Sequence, residues 1–430
     1  MREVPRDTAI DASLRLAVEG YDYVGRRCDA LGSDIYEARL LTSPTIFMRG
    51  TRWAEVFYDP SKFLRSKAAP RHVLRTLFGK GGVQGLDGTA HRHRKHMFLT
   101  ALRPESQEQL VRRVEQHFER RLNRWRVASE VVLFNELREI LTAAACDWMG
   151  ISLHPVSLAA RADDLESMIE GAGSVGWQHL RGIAARRRCE RWLSAIIADV
   201  RRGRLPRAEE HPLGEVALHR DPGGAQLRGD VAAVEALNLL RPTVAIARYG
   251  MFAAHAIHEH PHLLRRLGEP EARARFVEEI RRHYPFFPAV AARVKAEFEH
   301  DGYRFKAGQR VVLDLYGTNH TESSWRHPNR FEPERFADEP LAHAAIPQGG
   351  GDVESHHRCA GEAATQRVLN RLVQLLTQQI RYDVVPGQDL SVSRRRIPAR
   401  VASGFRIHHV VRIGDRQSEA PGAPAKNPAV

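Results

Sequence analysis

Two residues in this chain have surroundings that suggest specific chemistry. Cys359 closes the run Pro347-Gln348-Gly349-Gly350-Gly351-Asp352 followed by His357-Arg358-Cys359-Ala360-Gly361. A glycine-rich loop can bring its backbone close to a flat ligand and turn free N–H groups toward a sulfur, which stabilises the thiolate. The helix that the apolar spacing predicts over Gly361 to Ile380 adds the positive end of its dipole. Such a thiolate could hold a haem iron and push electron density toward O–O cleavage. A buried, inert cysteine beside a flexible loop is the plainer alternative. The second residue is Arg241, which precedes Pro242 in the apolar stretch Val231 to Ala247. Proline inside a helix removes a ladder hydrogen bond and costs about 3 kcal/mol. A buried arginine is also unfavourable unless an anion joins it. The two together point to a cation that receives an acid.

The elements needed to hold these residues are mostly helical. An amphipathic helix is expected near Ala9 to Gly20, and another from Gln107 to Trp125, where Leu110, Val111, Val114, Phe118 and Leu122 recur at helical spacing. Helical patterns continue through Asp163 to Glu170, Arg186 to Arg201 and Val231 to His258. Leu40 to Met48 and Thr51 to Tyr58 read as short strands separated by Arg49-Gly50, and Gly302 to Leu315 returns to strands with a turn at Ala307-Gly308. No internal repeat is present. The expected class is mainly α, an α-rich α+β arrangement. Residues 1–415 form a single domain, and the Pro-, Ala- and charge-rich 416–430 are expected to be disordered.

Composition narrows the function. The 430 residues are 43% hydrophobic, enough for a sizeable core. The four cysteines, Cys28, Cys146, Cys189 and Cys359, show no CxxC spacing, which argues against a disulfide scaffold or zinc ribbon and for a reducing cytoplasm. No signal pattern or run approaching about 18 apolar residues appears, so neither secretion nor a membrane span is expected. The net charge of +13 would suit a nucleic-acid binder. The arginines, however, are interleaved with acids, and no compact basic module stands out, so a solvated surface is expected instead.

Further motifs fall in order. Glu279 and Arg282 lie three apart, on one helix face. Phe331-Glu332-Pro333-Glu334-Arg335-Phe336 then supplies a second arginine, and the cysteine loop follows. This series, over roughly residues 10–412, resembles the cytochrome P450 superfamily. The resemblance implies that fold: a large helical domain with a smaller β-rich part, and haem b between a long distal helix and the proximal cysteine loop. It implies Cys359 as axial thiolate, Glu279, Arg282 and Arg335 as a structural triad, and His91 and Lys95 as the pair that grips the haem propionates. An ordinary basic helix face would also account for His91 and Lys95.

The distal helix lacks the acid-alcohol pair usual in the superfamily. Leu240-Arg241-Pro242-Thr243-Val244-Ala245-Ile246 instead resembles the fatty-acid peroxygenase branch, as do Arg281 to Pro288, Tyr316 to His320 and Pro347 to Asp352. The resemblance implies that Arg241 holds a long-chain fatty acid by two parallel bonds to its carboxylate. That carboxylate would serve as general base and acid for hydrogen peroxide, with no redox partner, and attack would fall at Cα or Cβ. The resemblance implies that Gln84 takes the position that faces substrate, where hydroxylating relatives commonly have glutamine and decarboxylating, alkene-forming relatives commonly have histidine; a loop glutamine that touches nothing is the plainer alternative. Phe78, Phe286 and Phe287 are expected to line the pocket, and Gly171 to Trp177 either borders the acyl tunnel or is a simple interhelical turn. Tyr284 to Val290 resembles the alkene-forming relatives. His356 stands where relatives commonly have glycine. The competing expectations are a decarboxylase, a reductase-driven monooxygenase, and a haem or fatty-acid binding protein without turnover.

Overall fold

The computed structural model describes residues 2–9, 11–337 and 344–414, so the expected tail at 416–430 lies outside the described residues. The core is dominated by the helix Gly229–Glu259, the long helix below. From Ala232 to Ala254 every residue of it is buried except Pro242. A helix apolar on all sides has to be surrounded, and the helices Leu133–Met149, Trp177–Arg201 and Glu362–Gln374 pack against it. The amphipathic pattern read between Gln107 and Trp125 is a helix over Pro104–Trp125, with Leu110, Val114, Phe118 and Leu122 buried.

Among the described residues, ten short strands form the β-rich part: β1 Ile35–Leu40, β2 Ser43–Met48, β3 Phe63–Leu64, β4 Val131–Val132, β5 Ala289–Val294, β6 Phe298–His300, β7 Tyr303–Phe305, β8 Arg310–Asp314, β9 Ile380–Val384 and β10 Arg406–Arg412. The main sheet has the order β1-β2-β8-β5-β3, with β2 and β8 parallel and the other pairs antiparallel. β4, β10 and β9 form a second sheet, and β6 pairs with β7.

Two strand readings change. Leu40 to Met48 is not one strand. Leu41 and Thr42 take positive φ, 50° and 63°, and make the two-residue turn between β1 and β2. Thr51 to Tyr58 is a helix over Thr51–Phe57 rather than a strand. Its buried residues, Trp53, Ala54, Val56 and Phe57, sit at helical spacing, and that burial outweighs the β preference of the individual residue types.

Candidate active site

The cysteine loop runs from β-bridge residue Pro347 into the helix Glu362–Gln374. Gly349 and Gly351 take φ of +96° and +79°, which favours glycine at both. The sulfur of Cys359 faces donors. Gln348 Nε2 donates to Cys359 Sγ at 3.6 Å, and the Cys359 N–H donates to the Gln348 carbonyl at 3.2 Å. Arg281 Nε donates to Gln348 Oε1 at 3.2 Å and so fixes which end of that amide faces the sulfur. Arg281 is itself buried and held by Glu278 and Glu362. Burial and the Glu362 carboxylate push the Cys359 thiol up, while the Gly361 N–H, Lys95 and Arg281 oppose them. Coordination to a metal ion would reverse that balance for Cys359, because a ligating thiol is deprotonated.

His356, the departure in this loop, has a definite place. Its Nδ1 accepts the Asp352 N–H at 2.9 Å, and its ring fills the space where a Cβ on Gly351 would collide with it. The side chain closes the loop locally and leaves the Cys359 contacts in place.

His91 and Lys95 lie on the helix Gly88–Ala101, both buried. Lys95 Nζ donates to the carbonyls of His356 and Arg358, the latter at 2.7 Å. The His91 ring stacks on His357, with centroids 3.7 Å apart. Arg65 joins this group. It is 8% exposed and stacked over Phe57, and it donates to the Ala291 carbonyl at 3.2 Å. Burial brings Arg65 down to about 10, Lys95 to about 8 and His91 to about 4, and drives His357 well below its ordinary range. Mutual repulsion adds to the effect on His91 and His357. A cluster of desolvated basic groups with so little acid among them is built to receive an anion.

On the long helix Arg241 is 6% exposed, and its Nε is buried without a partner. Burial, with Arg186 adding repulsion, lowers it to about 9, and the charge of Cys359 partly offsets them. Pro242 beside it is exposed although its helix neighbours are buried, and Cys359 keeps accessible surface while the other three cysteines are buried. The exposed Pro242 beside a buried Arg241, the basic cluster and the single accessible cysteine fit a haem. Among the described residues no group of three potential metal ligands includes Cys359, which argues against zinc.

Gln84 sits in the turn Val83–Gly85 and is tied to the long helix, since Asn238 Nδ2 donates to Gln84 Oε1 at 3.3 Å. Asn238 Nδ2 also lies 3.5 Å from the Phe78 carbonyl. Phe286 and Phe287 part company. Phe286 meets Tyr249 edge-on at 4.9 Å, whereas Phe287 packs with the sheet-side core around Phe57 and Val290. Gly171 to Trp177 spans the join between the helices Pro155–Ala172 and Trp177–Arg201.

The Glu279 carboxylate receives Arg282 through two bonds of 2.7 Å and Arg335 at 3.3 Å, all three being buried. Arg282 further donates to the carbonyls of Asn319 and Pro328, which binds the 319–335 segment to the helix Pro270–His283. Gln348, Arg65, His357, Glu235 and Asn238 are the site residues that sequence reasoning passed over. Glu235 and Asn238 carried a signal as polar residues in a largely apolar helix, and Gln348 and His357 as members of the cysteine loop; Arg65 carried none.

Comparison with known proteins agrees with this geometry. The family model for cytochrome P450 matches residues 274–390. The solved structure of cytochrome P450EX alpha (CYP152N1), determined with myristic acid, superposes with a TM-score of 0.92 at 41% identity, covering 96% of this chain and 100% of that one. Cytochrome P450SP alpha (CYP152B1), solved as its L78F mutant, gives 0.92 at 41% identity over 94% and 100%. Ligand-free cytochrome P450 OleT gives 0.91 at 32% identity over 96% and 100%. Among curated sequences, putative cytochrome P450 137 of Mycobacterium tuberculosis is 31% identical over 157 residues, 34% of this chain. The chain spans only about a third of that relative's length, 32%. Putative cytochrome P450 120 of Synechocystis sp. is 21% identical over 83% of this chain and 85% of its own. Among the described residues no helix is long and apolar enough to cross a membrane. With a thiolate loop, a basic cluster beside it and an unpaired arginine across from it, all in a fold shared end to end at 41% identity, this chain belongs to the cytochrome P450 superfamily, in its CYP152 fatty-acid peroxygenase branch.

Proposed function

We propose that this protein is a haem-thiolate peroxygenase that uses hydrogen peroxide to hydroxylate long-chain fatty acids at Cα, Cβ or both. The observation that carries this is Arg241, a buried guanidinium with an unpartnered Nε and no acid beside it. Cys359 would hold a haem through its sulfur, with Arg65, His91, Lys95 and His357 as the basic groups for its carboxylates, and the haem would supply the iron chemistry that activates peroxide. Arg241 binds the fatty-acid carboxylate through its planar fork, and desolvation strengthens that pair. Pro242, which has no N–H, removes one ladder bond of the long helix beside Arg241. The bound carboxylate takes a proton from peroxide and returns it to the departing oxygen as water forms. Only carbons next to the carboxylate then come within reach. The neighbour solved with myristic acid supports a fatty acid as the substrate class.

Gln84 presents an amide, which moves a proton less readily than imidazole, and so favours hydroxylation over decarboxylation. Residues 1–415 act as one catalytic domain. The test is to incubate haem-loaded protein with myristate and hydrogen peroxide, without a reductase, and identify products by mass. Hydroxylation at Cα or Cβ is expected. Turnover only with a reductase system would refute the reading, and terminal alkene as main product would assign decarboxylation instead.

A further inference from the structure

The long helix carries a fully buried carboxylate that the peroxide chemistry above does not use. Glu235 is 0% exposed, and Arg94 Nη1 donates to its Oε1 at 2.7 Å. Its other oxygen, Oε2, accepts Asn238 Nδ2 at 2.9 Å. The Val83 N–H, next to Gln84, also faces this carboxylate. Asn238 Nδ2 is surrounded by acceptors: Glu235 Oε2, Gln84 Oε1 at 3.3 Å and the Phe78 carbonyl at 3.5 Å. Three acceptors around one atom require that atom to be the amide nitrogen, which settles the orientation of Asn238. Asn238 Oδ1 is then left buried without a partner. The same logic passes to Gln84. Its carbonyl is committed to Asn238, so its NH2 group is the end left for the site. Gly82 makes room for the arrangement. A Cβ there would lie 2.9 Å from the Phe78 carbonyl, 3.0 Å from Gln84 Oε1 and 3.1 Å from Asn238 Nδ2.

We propose that Glu235, locked by Arg94, is a positioning residue that acts through Asn238 to hold the Gln84 amide with its N–H donors toward the substrate, and that this polarity sets the product distribution. The proposal rests on the role given to Gln84 above. Without Asn238 the Gln84 amide can turn over and offer its carbonyl. Glu235→Gln keeps the volume of the side chain but leaves one acceptor oxygen for the three donors Arg94, Asn238 and the Val83 N–H, so at least one bond is lost.

The test uses the haem-loaded full chain in wild-type form and as Glu235→Gln, Asn238→Ala, Gln84→Ala and the double variant Asn238→Ala/Gln84→Ala. Two readouts are taken: the ratio of Cα-, Cβ-hydroxylated and alkene products, and backbone amide exchange of the 81–87 segment. Glu235→Gln and Asn238→Ala should each shift the product ratio by about fivefold, the factor for one lost hydrogen bond, and should speed exchange of the segment by a similar factor. Gln84→Ala should abolish any further shift from Asn238→Ala, because positioning has no target without the amide. A shift of equal size with and without Gln84 would overturn the proposal, as would loop exchange unchanged in both single variants. If the wild-type protein gives no product with peroxide, the function proposed above fails, and amide exchange still decides whether Glu235 anchors the loop. Should Glu235→Gln fail to load haem, Asn238→Ala carries both readouts.

Discussion

Arg241→Met should make the fatty-acid-free protein more stable and remove its response to fatty acid. In the fold the guanidinium is 6% exposed, leaves Nε unpaired and feels Arg186 as a like charge. Burial holds it near 9 rather than 12.5. Replacing an uncompensated buried charge by an apolar side chain of similar length relieves that penalty, by roughly 1–4 kcal/mol on the scale seen for buried ionic groups. The opposite sign applies to binding. Two charge-assisted bonds to a carboxylate, discounted for partial hydration, are worth roughly 3 kcal/mol, so the dissociation constant should rise about a hundredfold. At a hundred times the wild-type dissociation constant, myristate should add about 2.7 kcal/mol to wild-type stability and only about 0.4 kcal/mol to the variant. Denaturant unfolding of the haem-loaded proteins, with and without myristate, measures both quantities. A variant less stable than wild type without fatty acid, or one that keeps most of the myristate response, would refute the assignment of Arg241 as the carboxylate receptor.

Three other outcomes follow from named contacts. Gln84→His replaces an amide by a group that titrates near neutrality, and should raise the alkene fraction from myristate and peroxide; an unchanged product ratio by mass analysis counts against Gln84 as selector. Glu279→Gln removes the charge that Arg282 and Arg335 share, and should destabilise the fold by roughly 3–5 kcal/mol in denaturant unfolding, since two buried cations lose their counter-ion. Asp314 is buried, with Oδ2 unpaired, and burial pushes its carboxyl up from 3.8 to about 7. The folded chain therefore keeps this proton over a range in which the unfolded chain has released it. Its effect on stability is most favourable below about pH 4 and is lost as pH rises to about 7, at up to about 1.4 kcal/mol per pH unit. Asp314→Asn should remove that loss, so variant and wild type should diverge in unfolding midpoint between pH 5 and pH 8, with the variant gaining at the higher pH.

The sequence determined the features that are local or ordered along the chain. Cys359 in its glycine loop, Glu279 and Arg282 on one helix turn, and Arg241-Pro242 within an apolar run are all visible because short spacing defines them. The helical pattern around Leu110, Val114 and Phe118 is visible for the same reason, as one face of a regular helix repeats every few residues. Where residue type competed with burial, sequence misled. Thr51 to Tyr58 is rich in strand-forming side chains, yet Trp53, Ala54, Val56 and Phe57 pack as the buried face of a helix. Tertiary structure alone decided the partners that give the site its electrostatics. The charge of Arg65 acts on His357 in the Cys359 loop across nearly three hundred positions, and Asn238 meets Gln84 across 154. Arg281 acts on Cys359 through its charge and through the side chain of Gln348, to which it donates. Such contacts leave no periodic trace, because each depends on where separate helices and loops come to rest. The charge of a buried group depends on that same placement. Arg241 is an ordinary cation in the sequence; only the fold, by taking away its water and giving it no acid, makes it a receptor for one.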